Sequence, residues 1–202
     1  ADGALIEPMA GGLHALRLSR PDDGERVLVI GAGSMAISVV YWARILGAGR
    51  IAVLSRSKHR EDAVMAMGAD ALLSFDEADA GRIVETLGGP PGLVAECVGK
   101  PGMLELAITH VRPRGTVVSL GMCQHGDPIV PAICTGKEVR LLFPHAYTVD
   151  EFVETARSFD AGRVRPEILV SHVIGLDELP TVMEAMRHGT MKTLKVHVDP
   201  AK

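Results

Sequence analysis

A doubly wound α/β fold, with helices covering both faces of a parallel sheet, follows from three observations in the sequence. Short β-branched runs recur along the chain, amphipathic stretches separate them, and one glycine-rich turn joins the first run to the first long helix. The runs "RVLVIG" (26–31), "RIAVLS" (50–55), "ADALLSF" (69–75), "GLVAECV" (92–98) and "GTVVSLG" (115–121) are apolar throughout rather than alternating. Continuous apolar strands belong to sheets buried on both sides. Helical patterns fill the gaps at 34–47, 57–67, 77–88 and 102–111, which gives the strand–helix–strand grammar of this class. "GKEVRLLF" (136–143) supplies a sixth strand.

The ends depart from this grammar. Residues 4–19 read as a helix, with Pro8 near the first turn where its missing N–H costs little. Beyond Phe143 the pattern predicts a helix (149–161), a strand (171–175), a helix (177–188) and a last strand (193–198). The domain boundaries expected from this are a central unit at 20–146, flanked by 1–19 and 147–202 from a second domain.

Composition narrows the function classes. Net charge is −4, so no global field draws the chain to nucleic acid or to an anionic membrane. No apolar run reaches the roughly 18 residues of a membrane-spanning helix. Cys97, Cys123 and Cys134 are too few and scattered for a disulfide framework or a Cys-x-x-Cys metal site, which fits a reducing cytoplasm. The sequence opens at Ala1 without Met, and a preceding segment is expected outside it.

"VLVIGAGSMA" places Gly31, Gly33 and Ala36 at the G-x-G-x-x-G/A positions, between a strand and a helix. Gly31 permits the tight turn, Gly33 admits a pyrophosphate, and Ala36 lets the helix pack on the strand. Ser34 and Met35 open the helix, whose free N–H groups carry partial positive charge. In this context the motif predicts dinucleotide binding in a Rossmann-type domain. About 20 residues further on, such folds carry an acid that holds the adenine ribose. Here Ser55 stands at the end of strand two, and "SRSKHR" (55–60) brings Arg56, Lys58, His59 and Arg60 after it. A serine removes the repulsion of a 2′-phosphate, and a helix beginning near Ser57 sets Arg60 one turn from Arg56, so both converge on one anion. The expected cofactor is NADP(H) rather than NAD.

The stretches "ALIEPMAGGLHALR" (4–17), "GERVLVIGAGSMA" (24–36), "AECVGKPGMLELAITHVRPRGTVVSLGM" (95–122) and "TLKVHV" (193–198) together resemble the zinc-type medium-chain dehydrogenase/reductases, especially their polyol and threonine dehydrogenase branches. The resemblance implies an alcohol or carbonyl substrate and hydride transfer to or from a nicotinamide. It also implies a catalytic zinc carried mostly by an N-terminal segment that this sequence does not contain, so the chain alone is expected to bind dinucleotide without turning over alcohol. Glu7 matches a glutamate that can complete the zinc shell; it reads equally as a helix N-terminal acid. Cys97, Val98 and Gly99 match the turn beside the ribose and nicotinamide, although Cys97 also reads as a small buried hydrophobe. Ser119, Leu120 and Gly121 match the backbone that meets the carboxamide. Lys195 matches a basic residue that reaches the pyrophosphate, or is simply a solvated lysine.

The same resemblance implies a homodimer or tetramer joined through a short strand at "DPIVP" (127–131). His14, His110 and His188 fall in helical patterns, and no histidine pair has metal-ligand spacing on one helical face. Two other readings stand beside this one: a zinc-independent quinone or enoyl reductase, and a nucleotide-binding module without chemistry. The "EP" helix and the "ECVG" turn weigh against the former.

Overall fold

The computed structural model describes residues 2–76, 79–163 and 166–202. Five apolar runs and the 140s segment form β1 (Arg26–Ile30), β2 (Arg50–Ser55), β3 (Ala71–Ser74), β4 (Leu93–Glu96), β5 (Thr116–Ser119) and β6 (Arg140–Leu142). They make one parallel sheet in the order β3-β2-β1-β4-β5-β6. The order reverses between β1 and β4, which opens a crevice at the carboxyl ends of the strands.

Successive strand residues face opposite sides of the sheet, and each side has its own cover. Val27, Val29, Ile51 and Val53 pack with α1 (Ile6–Ser19) and α2 (Ser34–Ile45). Leu28, Ile30, Leu54 and Val94 face α4 (Ala80–Leu87) and α5 (Met103–His110) instead. The predicted helix α1 therefore shares a core with the sheet. Met9 O on it accepts from Ser38 Oγ at 3.0 Å and from Trp42 Nε1 at 2.8 Å, both on α2. The remaining connection, α3 (Glu61–Ala66), joins β2 to β3. The expected helix at 77–88 begins in part at residues outside the described ones, and its described portion is α4.

Two expectations in the stretch 127–143 are corrected. "DPIVP" is not a strand. Asp127 instead accepts the backbone N–H groups of Gly102 (2.6 Å) and Leu104 (3.1 Å) at the start of α5, and Pro131 opens α6 (Pro131–Lys137). The sixth strand also starts later than 136, because Gly136 and Lys137 complete α6 and Glu138 turns the chain with φ +53°. Lys137 Nζ donates to the carbonyls of Ile108 (2.8 Å), Thr109 (2.7 Å) and Val111 (2.9 Å), satisfying the open end of α5.

After β6 come α7 (Val149–Asp160), α8 (Pro166–Leu169), β7 (Val170–Ile174), α9 (Leu179–Arg187) and β8 (Lys195–Val198). β7 and β8 form a separate two-stranded parallel sheet. Among the described residues no helix is long and apolar enough to cross a membrane.

α7 docks on α1 through polar groups. Thr148 and Glu151 form a reciprocal capping box, and Glu151 Oε2 lies 3.0 Å from His14 Nδ1. Burial alone raises the Glu151 carboxyl, but the Thr148 N–H and hydroxyl and the nearby His14 outweigh it and hold it below the usual range. A folded value below the unfolded one gives stability that is complete above about pH 4.3 and is lost as pH falls through the lowered value. Replacing Glu151 with Gln is expected to lower the urea midpoint at neutral pH, with variant and wild type converging in acid; a constant gap at both pH values would contradict this. In the apolar half of the core, Leu13→Ala is expected to cost about 2–5 kcal/mol by the same measurement, because Leu13 is wholly buried against the sheet.

Candidate functional site

The crevice at the reversal of strand order is a cleft of about 560 Å³. Its floor is the glycine turn. Gly31 has φ +110°, and a Cβ there would stand 3.1 Å from Val98 Cγ2 and 3.3 Å from Cys97 O. Only glycine serves at such a position. Its N–H donates to Leu54 O at 2.7 Å, while Cys97 N–H donates to Ile30 O at 2.9 Å, so the turn is fixed to the strands on either side. Gly33 is the N-cap of α2, and Ala36 is fully buried where the helix meets the sheet. Ser34 and Met35 do not line the cleft; Met35 Cε points toward Gly11 on α1. What these two residues bring is the N-terminus of α2, with its unpaired N–H groups.

One wall is the basic turn after β2. Ser55, Arg56, Ser57, His59 and Arg60 all line the cleft. Arg56 is exposed and makes no ion pair among the described residues. The expected helical start at Ser57 is corrected: Glu61 N–H donates to Lys58 O, a turn precedes the helix, and Arg60 is the N-cap of α3. Glu61 and Asp62 take the first turn, where acids suit the helix dipole. Arg60 is half-buried and spends Nη1 on Ala32 O (3.1 Å) and Nη2 on Thr193 O (2.7 Å). Burial lowers its pKa, and burial also lowers that of His59, helped by the charges of Arg60 and Lys192.

The opposite wall is the turn after β4, organised by Glu96. Its carboxylate is buried at the end of an otherwise apolar strand. Oε1 accepts from Val98 N (2.6 Å) and Gly99 N (2.8 Å), and Oε2 accepts from Ser119 Oγ (2.9 Å). The Glu96 carbonyl accepts from Leu120 N (2.7 Å) and Gly121 N (3.0 Å). Gly99 has φ +69°, and a Cβ on it would come within 2.9 Å of Met122 N. Cys97 and Val98 line the cleft, whereas Ser119, Leu120 and Gly121 do not and are tied to it through Glu96. Burial pushes the Cys97 thiol up, and the neighbouring Glu96 adds to the effect.

Two carried-over residues lie elsewhere. Lys195 opens β8 and faces a different cleft, shared with Val173 and His197. Glu7 is exposed on the first turn of α1. Among the described residues no three His, Cys, Asp or Glu side chains come together as a metal site, and a catalytic zinc takes three protein ligands, so no step through zinc is derived for this chain.

Sequence reasoning missed Glu96, Lys100, Phe75, Asp76 and Met103, the last four of which also line the cleft. Glu96 had a signal: a lone acid closing the buried run "LVAE" must be satisfied by its surroundings. In a Glu96→Ala variant two backbone N–H groups and a hydroxyl lose their acceptor, at roughly 1–3 kcal/mol for each buried donor left unpaired. Urea denaturation should show a large loss for Glu96→Ala and a smaller one for Glu96→Gln, which keeps one acceptor oxygen; equal stability of all three proteins would remove Glu96 from this role.

The family model described as zinc-binding dehydrogenase matches residues 31–161. Among curated relatives, the sorbitol dehydrogenase of Bacillus subtilis (strain 168) is 30% identical over 204 residues, which is 98% of this chain and 57% of that protein. Among solved structures, the 2R,3R-butanediol dehydrogenase of Bacillus subtilis superposes with a TM-score of 0.86 at 26% identity, covering 98% of this chain and 57% of that one. A protein of Sinorhizobium meliloti 1021, described as a zinc-binding dehydrogenase and bound to NADP, superposes with a TM-score of 0.85 at 27% identity, covering 99% and 59%. The chain thus spans a little over half the length of the relatives it matches. With a matched segment that runs from the glycine turn through α7, this chain belongs to the zinc-binding dehydrogenase family.

Proposed function

We propose that the cleft binds NADP(H), and that the chain is the cofactor-binding part of a zinc-type alcohol or polyol dehydrogenase. The observation that carries the cofactor choice is the end of β2. Where a dinucleotide fold usually has an acid on the ribose, Ser55 lines the cleft, with Arg56 exposed beside it. Arg56 is free to meet a 2′-phosphate with paired N–H donors. Gly31, Gly33 and the N-terminus of α2 take the pyrophosphate, and the Cys97–Gly99 turn lies toward the nicotinamide ribose. When bound, the nicotinamide supplies the hydride acceptor or donor, and this chain's residues bind and orient it. The NADP bound to the Sinorhizobium meliloti relative supports the reading.

The substrate class, an alcohol or polyol exchanging hydride with a carbonyl, rests on the sorbitol and butanediol dehydrogenases among the relatives. A cytoplasmic setting fits the free state of Cys97, Cys123 and Cys134. Self-association belongs to the same reading. Edge strand β6 and the adjoining segment expose Val130, Ile133 and Phe143, and sedimentation of a concentrated sample should give a dimer or tetramer; a monomer at high micromolar concentration would count against it.

Titration of NADPH and NADH into wild type and Arg56→Ala tests the cofactor. Wild type should prefer NADPH, and the variant should lose about 10- to 150-fold of that affinity while binding NADH unchanged, since one charged hydrogen bond contributes roughly 1.5–3 kcal/mol. A wild type that prefers NADH, or a variant that keeps its NADPH preference, would overturn the reading.

A further inference from the structure

Glu96 is 2% exposed, and its carboxylate meets two backbone N–H groups and a hydroxyl rather than a cation among the described residues. Three neutral donors spread a negative charge without cancelling it. The same bonds decide what this wall offers to the cleft. Val98 N–H and Gly99 N–H turn inward and are spent on Oε1. Cys97 O stands at the glycine turn, 3.3 Å from where a Cβ on Gly31 would lie. The charge is felt along the turn as well: burial is the main cause that raises the Cys97 thiol, and Glu96 adds to it.

The far wall has the opposite sign. Arg56 and Arg60 follow β2, while Glu96 closes β4, and the glycine turn after β1 stands between them in the sheet order. Lys100 also lines the cleft, but it is exposed, so water screens its charge as it does not screen that of Glu96. An oxidised nicotinamide dinucleotide is polarised in the same sense, with phosphates on one side and a cationic ring at the other end. Hydride addition cancels the charge of the ring and leaves the phosphates as they were. We propose that Glu96 sets a preference between redox states, its buried charge behind the β4 turn favouring the oxidised nicotinamide dinucleotide over the reduced one. The inference rests on the dinucleotide reading of the cleft, with the Cys97–Gly99 turn toward the nicotinamide ribose. It does not depend on the choice between NADP and NAD, because the ring is common to both.

NADP+, NADPH, NAD+ and NADH are titrated into wild type, Glu96→Gln, Ser119→Ala and Lys100→Glu. The readout is the ratio of dissociation constants within each redox pair, which a general loosening of the turn does not move. Glu96→Gln keeps the shape of the side chain and loses its charge, so it should weaken the oxidised form relative to the reduced one by about 3- to 10-fold. Ser119→Ala takes one donor from the same carboxylate and leaves the charge in place, so both forms should change by the same factor. Lys100→Glu adds a negative charge at an exposed position on the same wall and should move the ratio the other way, toward the oxidised form. A Glu96→Gln ratio equal to that of wild type, or a Ser119→Ala ratio that moves as far as that of Glu96→Gln, would overturn the inference. If Glu96→Gln does not fold, Lys100→Glu decides it, and an unchanged ratio there overturns it. A wild type that prefers NADH to NADPH would sink the 2′-phosphate reading and leave this one standing; a wild type that binds no dinucleotide would sink both.

Discussion

The buried carboxylate of Glu96 is the constraint on which the geometry of the cleft depends. A carboxylate taken out of water needs donors on both oxygens, and here they come from two loops that lead in different directions. Val98 and Gly99 turn toward the cleft, and Ser119 ends the adjacent strand. With its own carbonyl bound to Leu120 and Gly121, Glu96 fixes the carboxyl ends of β4 and β5 in one register. The close approach of Gly121 to Gly99 follows: a Cβ on Gly121 would come 2.6 Å from the Gly99 Cα and 2.5 Å from Glu96 Oε2. The other side of the cleft is held by the short bond from Gly31 to Leu54. Each wall is thus anchored to the sheet by backbone groups, while the charged side chains are hung on afterwards.

That division explains what was legible in the sequence. The strands and the glycine turn follow from apolar runs and from the few residues a turn tolerates, and these are local signals. The order of the strands across the sheet is a finding of the structure, since right-handed crossovers fix the hand of each unit and not the order. Position within the stretch 127–143 was not legible, because Asp127 and Lys137 serve the two ends of α5, a helix more than twenty residues earlier. A side chain that caps another element looks, in the sequence, like ordinary loop polarity. The start of α3 was misplaced for the same reason: Arg60 is drawn to Ala32 and Thr193, partners that no window around residue 60 contains.

Carried-over site residues divided along similar lines. Gly31 and Gly99, whose expected part is played by the backbone, sit at positive φ with close neighbours, where steric exclusion favours glycine. Those whose part is played by a long side chain were less secure. On β8, Lys195 lines the second cleft together with Val196, His197 and Val198, and is not among the residues lining the cleft at the glycine turn. A charge match at one position in a strand carries no information about which side of the sheet it occupies.

Charge placement around the cleft then has a consistent logic. The chain is acidic overall, with net charge −4, yet Arg56, His59, Arg60 and Lys100 gather on this one concavity against the single acid Asp76 among its lining residues. Burial lowers the proton affinity of Arg60 and His59, and neighbouring cations lower that of His59 further, so at neutral pH the positive field of the cleft comes from the arginines and Lys100 rather than from His59. Like charges are held near one another at a cost in stability, and an arriving polyanion relieves that repulsion. The carbonyls that hold Arg60 offset part of its charge without neutralising it. A site arranged in this way keeps its electrostatic attraction for a ligand that brings several negative charges at once, while the glycine turn and the N-terminus of α2 select the phosphate geometry that can enter.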